Sequence, residues 1–260
     1  MKNVRIAAWL SLLLIPILLL SCAKKEKPEP AKPAAEVKGP YSDWKTYSYR
    51  NVRIVYPADH PRAEDLHAMA LSYVASIRHD CEFLRIPVPS DTLVVLFHTG
   101  PGQGKQLSEH RYPHASNDTL YFWLPGFYGV TLMQWLIPKW QKDTSAFRFL
   151  RHGLIALLDN SGQNYHVMTN TYRHNGKFIS LDSLARDTTV NSDNERMQSA
   201  EAASFVDFLV YKYGTHGLTG MWQSKTSFDS TVTGLFNISV DSLQTDWLSL
   251  VSRQAKSDSL

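Results

Sequence analysis

Cysteine is nearly absent from this chain, which has two in 260 residues. One of them, Cys22, falls in a segment where its thiol has another use, so no intrachain disulfide is expected and the fold must stand on its apolar core. The other, Cys81, belongs to the helical spacing Leu66, Ala70, Tyr73, Ile77, Cys81, Leu84, which predicts an inert buried thiol rather than a redox centre or nucleophile. Glutamate is missing from the whole interval between Glu109 and Glu195. A basic surface is missing as well. The formal charge is +3, but residues 1–41 carry seven Lys or Arg against three Glu, a net of +4, so the remainder carries a net of −1. Nucleic acid is therefore not an expected partner, because binding it rests on clustered cations. Several motifs are also absent. The Gly100–Gly104 run lacks the Gly-Lys-Ser/Thr ending of a phosphate-binding loop, there is no Gly-x-Ser-x-Gly elbow, and the Asp-rich stretch Asp187 to Asn194 lacks the central Gly and terminal Glu of an EF-hand.

What is present begins with an export signal. Lys2 and Arg5 form a charged start, Ala7 to Leu20 an apolar run too short for a stable membrane span. Leu19-Leu20-Ser21-Cys22 resembles a bacterial lipobox. The resemblance implies that residues 1–21 are a signal peptide and that Cys22 becomes the attachment point for diacylglycerol, anchoring the chain to a membrane by acyl burial. Ala23 directly after the cysteine, rather than Asp, points to the outer membrane of the cell envelope. Residues 22–40 are mostly Lys, Glu, Pro and Ala and cannot bury enough surface to fold, so they are expected to form a tether. Pro28, Pro30, Pro33 and Pro40 bias it toward polyproline II, at roughly 3 Å per residue. One domain, residues 41–256, is expected to follow.

Within that domain, Tyr47 to Tyr56 alternates as one strand ended by Pro57. Pro61 and Glu64-Asp65 open a long helix that Pro87 and Pro89 close. Asp91 to His98 is a buried strand, and Asn117 to Leu124 is another, terminated by Pro125-Gly126. Helices are predicted over Tyr128 to Ile137, stopped by Pro138, then over Ala146 to Asp159, Asn194 to Tyr213 and Ser239 to Ser252, with shorter pieces between. Ala202, Phe205, Val206, Leu209, Val210 and Tyr213 make the third of these amphipathic, and Gly214 supplies its stop. In the last, Ser239 is the N-cap and Val240, Leu243, Trp247, Leu250 and Val251 form the buried stripe. No internal repeat is present. Strands early and helices late indicate α+β.

Five segments in order carry a resemblance: the strand ending Val52-Arg53-Ile54-Val55-Tyr56, the long helix, the strand Leu93-Val94-Val95-Leu96-Phe97, the helix with Gly153-Leu154-Ile155-Ala156-Leu157-Leu158, and the block Phe205 to Gly214. Together they resemble the peptidase-MA-like domains of the gluzincins, which implies a zincin-like α+β fold: a small mixed sheet with helices, then a mostly helical half. Active members carry His-Glu-x-x-His on one helix, two imidazoles binding zinc while the Glu activates water, and a third ligand Glu on the next helix. Here Val130 and Gln134 stand where the two histidines would be, Thr131 where the general base would be, and His152 where the third ligand would be. The glutamate-free interval spans both helices. The expectation is a domain without catalytic residues, metal or cofactor, its former substrate cleft lined by Tyr121, Trp123, Phe127, Tyr128 and Trp135 and binding a protein or peptide. The strand Asn117 to Leu124 would pair with such a segment by β-augmentation.

Two other readings stay open. One is an active hydrolase or peptidase with a non-standard zinc site that includes His152 and draws on His166, His174, Asp159, Tyr128 and Tyr165. His110 and His114 have ligand spacing, but Pro113 between them argues against a shared helix face. The other is a purely structural envelope lipoprotein. For the anchor itself the expected result is that cells fed labelled palmitate incorporate the label into the wild-type chain and not into Cys22→Ala. Equal labelling of both would remove Cys22 as the attachment site.

Overall fold

The structure is a computed structural model that describes residues 43–58, 65–98, 113–123, 126–186 and 194–257. The export segment, Cys22, the tether, the Gly100–Gly104 run, His110 and residues 187–193 lie outside the described residues.

The domain is α+β, with a five-stranded mixed sheet on its N-terminal side followed by a mostly helical part. Strands β1 (Lys45–Tyr49) and β2 (Val52–Tyr56) form an antiparallel hairpin in which Tyr49 faces Val52. The single strand expected over Tyr47 to Tyr56 is thus two. The turn is made by Arg50, at φ 52°, and Asn51. Hairpin turns usually announce themselves with glycine, and Arg-Asn lacks it, so the alternation reads straight through.

Helix α1 (Leu66–Leu84) buries all six positions of its predicted stripe. Cys81 is fully inside, and burial together with the neighbouring Asp80 carboxylate pushes its thiol up to about 11, as an unreactive cysteine requires. Strand β3 (Leu93–Phe97) lies parallel to β2 and is almost continuously apolar, as a strand covered on both faces should be. Strands β4 (His114–Ser116) and β5 (Thr119–Phe122) follow as a second hairpin, with Asn117 at φ 51° and β5 parallel to β3. The sheet order is β1-β2-β3-β5-β4. Strand β5 is therefore hydrogen-bonded on both edges, to β3 and β4. It has no free edge for β-augmentation, which corrects the expectation for Asn117 to Leu124. Three residues of β4 are too few to show a period.

Eight helices occur among the described residues. Helix α2 (Gly129–Trp140) runs through Pro138 instead of stopping at Ile137. The proline sits in the last turn, where little of the hydrogen-bond ladder remains to be lost. That turn is also pinned to the sheet: Lys139 Nζ bridges Asp118 and Asp91, each at 2.9 Å, and Trp135 Nε1 donates to Asp118 at 2.9 Å. Helices α3 (Arg148–Leu157), α4 (Tyr165–His174) and α5 (Leu181–Arg186) lead to the long α6 (Glu195–Gln223). Gly214 breaks α6 at φ 70° and ψ 176°, a conformation that needs glycine, so the predicted stop is real although helix resumes beyond it. Helices α7 (Phe228–Phe236) and α8 (Val240–Ser257) complete the fold, with the Ser239 hydroxyl accepting from Ser242 N–H at the start of α8. Of its predicted stripe, Leu243, Trp247, Leu250 and Val251 are buried.

Helix α6 carries a buried acid. Glu201 is fully inside, both its oxygens facing the Ile179 N–H at 3.2 and 3.4 Å, and desolvation raises it from 4.5 to about 8. The folded state thus holds a proton that the unfolded chain releases, so this residue costs about 1.4 kcal/mol of stability for each pH unit climbed between 4.5 and about 8. Glu201→Gln keeps an acceptor for Ile179 and removes that cost. Urea denaturation should show the variant gaining on wild type as pH rises from 5 to 8; a constant difference would contradict the buried protonated acid.

Candidate functional site

Helices α2, α3 and α6 and the segment entering α4 enclose a cleft of about 560 Å³. Each helix presents neighbours on one face, as i, i+4 spacing dictates: Val130 and Gln134 from α2, Arg151, His152, Ile155 and Ala156 from α3, and Glu195, Arg196, Ser199 and Ala200 from the first turns of α6. Asp159, Ser161 and Gln163 complete the lining with Tyr165 and Met168 of α4. Two glycines permit this approach. A Cβ at Gly153 would run into the Ala202 carbonyl of α6, and one at Gly129 into the Asp159 carbonyl.

Three of the four positions that the resemblance would assign to metal ligands and base line one cavity: Val130, Gln134 and His152. The fourth, Thr131, points inward and is buried.

The five aromatic residues expected to line the cleft do not line this one. Trp135 is buried, its ring in the core and its N–H on Asp118. Phe127 packs against Tyr73 at 5.0 Å, and Tyr128 stacks on Phe122 at 4.2 Å. Tyr121 lies parallel to the His114 ring at 4.5 Å, and Trp123 is half-buried just past β5. Large rings gain most from contact with the core and with one another, and Phe127, Tyr128 and Trp135 pack into the core or against it.

His152 is half-buried. Desolvation, then the Arg151 and Arg148 guanidinium groups, hold its imidazole below the ordinary value of 6.5, partly offset by Glu195. It is a neutral ring at neutral pH, with a lone pair available to accept a proton or a hydrogen bond. At the other end of α3, the Asp159 carboxylate accepts the Ser161 N–H at 2.8 Å, and burial raises the nearby Tyr165 phenol.

The remaining members of the alternative zinc set are dispersed. His174 Nδ1–H donates to the Asn170 carbonyl of its own helix at 2.8 Å. His166 is buried between Ser204, at 2.8 Å from Nδ1, and Asp207, at 2.9 Å from Nε2. Among the described residues no three His, Cys, Asp or Glu side chains converge as a metal site.

The Asp207, His166, Ser204 chain has the residue types of a catalytic triad, which sequence alone did not single out. Ser204 is fully buried and also accepts the Trp247 Nε1–H at 3.0 Å. Trp247 donates to Ser204, Ser204 to His166 Nδ1, and His166 Nε2–H to Asp207, so every donor has an acceptor when the imidazole is neutral. A nucleophile that no substrate reaches is not one. The chain pins α4, α6 and α8 together as a satisfied network that runs from the buried Trp247 out to the part-exposed Asp207.

No family model, curated protein or solved structure matches the chain.

The electrostatics of His152 are open to direct measurement. Its ring protons should titrate below 6.5 by NMR, and Arg151→Gln should move the midpoint upward by removing a cation; an unshifted midpoint in the variant would contradict the assigned cause.

Proposed function

We propose that this is a lipid-anchored protein of the cell envelope whose domain is a catalytically silent, zincin-like relative of the metallopeptidases, retaining the substrate cleft as a binding site for a protein or peptide segment. The observation that carries the reading is the meeting of Val130, Gln134 and His152 in one cleft. Residues on two helices that the resemblance assigns to a single metal centre line one cavity, and two of the three are not the histidine ligands that centre uses. Valine has no donor atom. The carboxamide of Gln134 is a poor zinc ligand beside an imidazole or carboxylate. Thr131 is buried and has no carboxylate with which to activate water. Shape and polarity remain, and a cleft of this volume lies in the range that holds small ligands and short peptides.

The competing hydrolase reading draws on a specific observation, the neutral His152 sharing the cleft with Asp159 and Tyr165. Metal analysis separates the two. The full chain purified without chelator should contain zinc well below one equivalent, unchanged by His152→Ala. One equivalent that is lost in the variant would overturn the silent-domain reading and establish the alternative.

A further inference from the structure

One helix supplies the cleft with a cation that has no counter-ion. Arg151 and His152 are consecutive lining residues on α3, and Arg148, four residues before His152, stands one turn back on the same face of that helix. Arg151 enters no ion pair among the described residues. The Arg151 and Arg148 guanidinium groups act on the His152 ring more strongly than the lining Glu195 carboxylate does. The other lining carboxylate, Asp159, lies past the end of α3 at Leu157 and accepts the Ser161 N–H. One turn further along α3 the lining is apolar, with Ile155 four residues from Arg151 and Ala156 four from His152.

A cationic turn followed by an apolar turn selects a ligand with the complementary pattern. Four residues of helix rise about 6 Å, and an extended peptide sets every second side chain on one face at a spacing of roughly 6.6 Å. We propose that the cleft selects extended peptide segments carrying an acidic side chain, its carboxylate on Arg151 beside His152, with an apolar side chain two residues away against Ile155. Arginine suits that seat because its planar fork binds a carboxylate in two parallel hydrogen bonds. The neutral His152 ring has one N–H to donate to the same group. The inference rests on the peptide-binding reading above and adds the side chains that the cleft selects.

Calorimetric titration of the full chain in detergent micelles tests this with N-acetylated, C-amidated Leu-Ala-Glu-Ala-Leu and the same peptide with Gln in place of Glu. Capping removes the terminal charges, and the two leucines serve either chain direction. The Glu peptide should bind about tenfold tighter, as one charge-assisted contact gives. It should also raise the His152 midpoint measured by NMR, because it brings an anion beside the ring. Arg151→Gln should bind both peptides alike, with the affinity that the wild type has for the Gln form. Equal binding of the two by the wild type would overturn the acidic preference and leave a peptide cleft. A preference kept by Arg151→Gln, or a tighter Glu complex that leaves the His152 midpoint in place, would overturn the assigned seat. The midpoint is read on the wild type, so it decides the seat even where the variant does not fold. Binding of neither peptide would overturn the preference and the peptide-binding reading together.

Discussion

Helices α3 and α6 meet backbone to backbone, with Gly153 so close to the Ala202 peptide that no side chain fits between them. Most of the geometry of the cleft follows from this contact. Beside this contact, Arg151, His152, Ile155 and Ala156 of α3 and Glu195, Arg196, Ser199 and Ala200 of α6 line the same cleft. A second close approach, Gly129 against the Asp159 carbonyl, brings the start of α2 to the end of α3 and lays Val130 and Gln134 along the remaining side. The apolar faces behind these contacts supply the stabilisation: Phe149 and Phe205 pack at 5.7 Å, and Phe205 meets Trp247 at 5.4 Å.

The cleft that results is framed by two backbone contacts, at Gly153 and Gly129. Its one imidazole is kept neutral by burial and by neighbouring cations, an environment that favours accepting a hydrogen bond over carrying charge. Its two lining carboxylates, Asp159 and Glu195, come from different segments of the chain. Of the residues with the types of a serine triad, Ser204 and His166 lie in the interior, their hydrogen bonds closing on Trp247 and on a part-exposed Asp207. Recognition needs such fixed, separated polar groups on an apolar floor; hydrolysis needs them converging on one atom.

Long periodic segments were legible in the sequence. The α1 stripe is buried at every predicted position, Leu93 to Phe97 is an inner strand, and Gly214 breaks α6 where the pattern ends. What failed turned on short-range backbone geometry. Arg50 and Asn117 take positive φ without the glycine that would have announced a turn, so one expected strand became a hairpin and another acquired a partner, β4. That partner occupies the edge assigned to a bound segment. The aromatic residues assigned to the cleft do not line this cavity, because apolar character and period do not say whether a ring faces a cleft or a neighbouring side chain: Phe127 packs on Tyr73, Tyr128 on Phe122 and Tyr121 on His114. At the site, Val130, Gln134 and His152, which the resemblance would set at one centre, line one cavity. Arg196 and Glu195 could not be placed there from sequence, because some forty residues and a helical crossing separate them from His152.

The central claim is that the cleft binds without cutting. Its most direct test is to incubate the full chain, supplied with zinc, with a complex peptide mixture and to read new termini by mass spectrometry. The account predicts none beyond those formed without the protein. New termini that depend on the cleft, disappearing in His152→Ala, would contradict it.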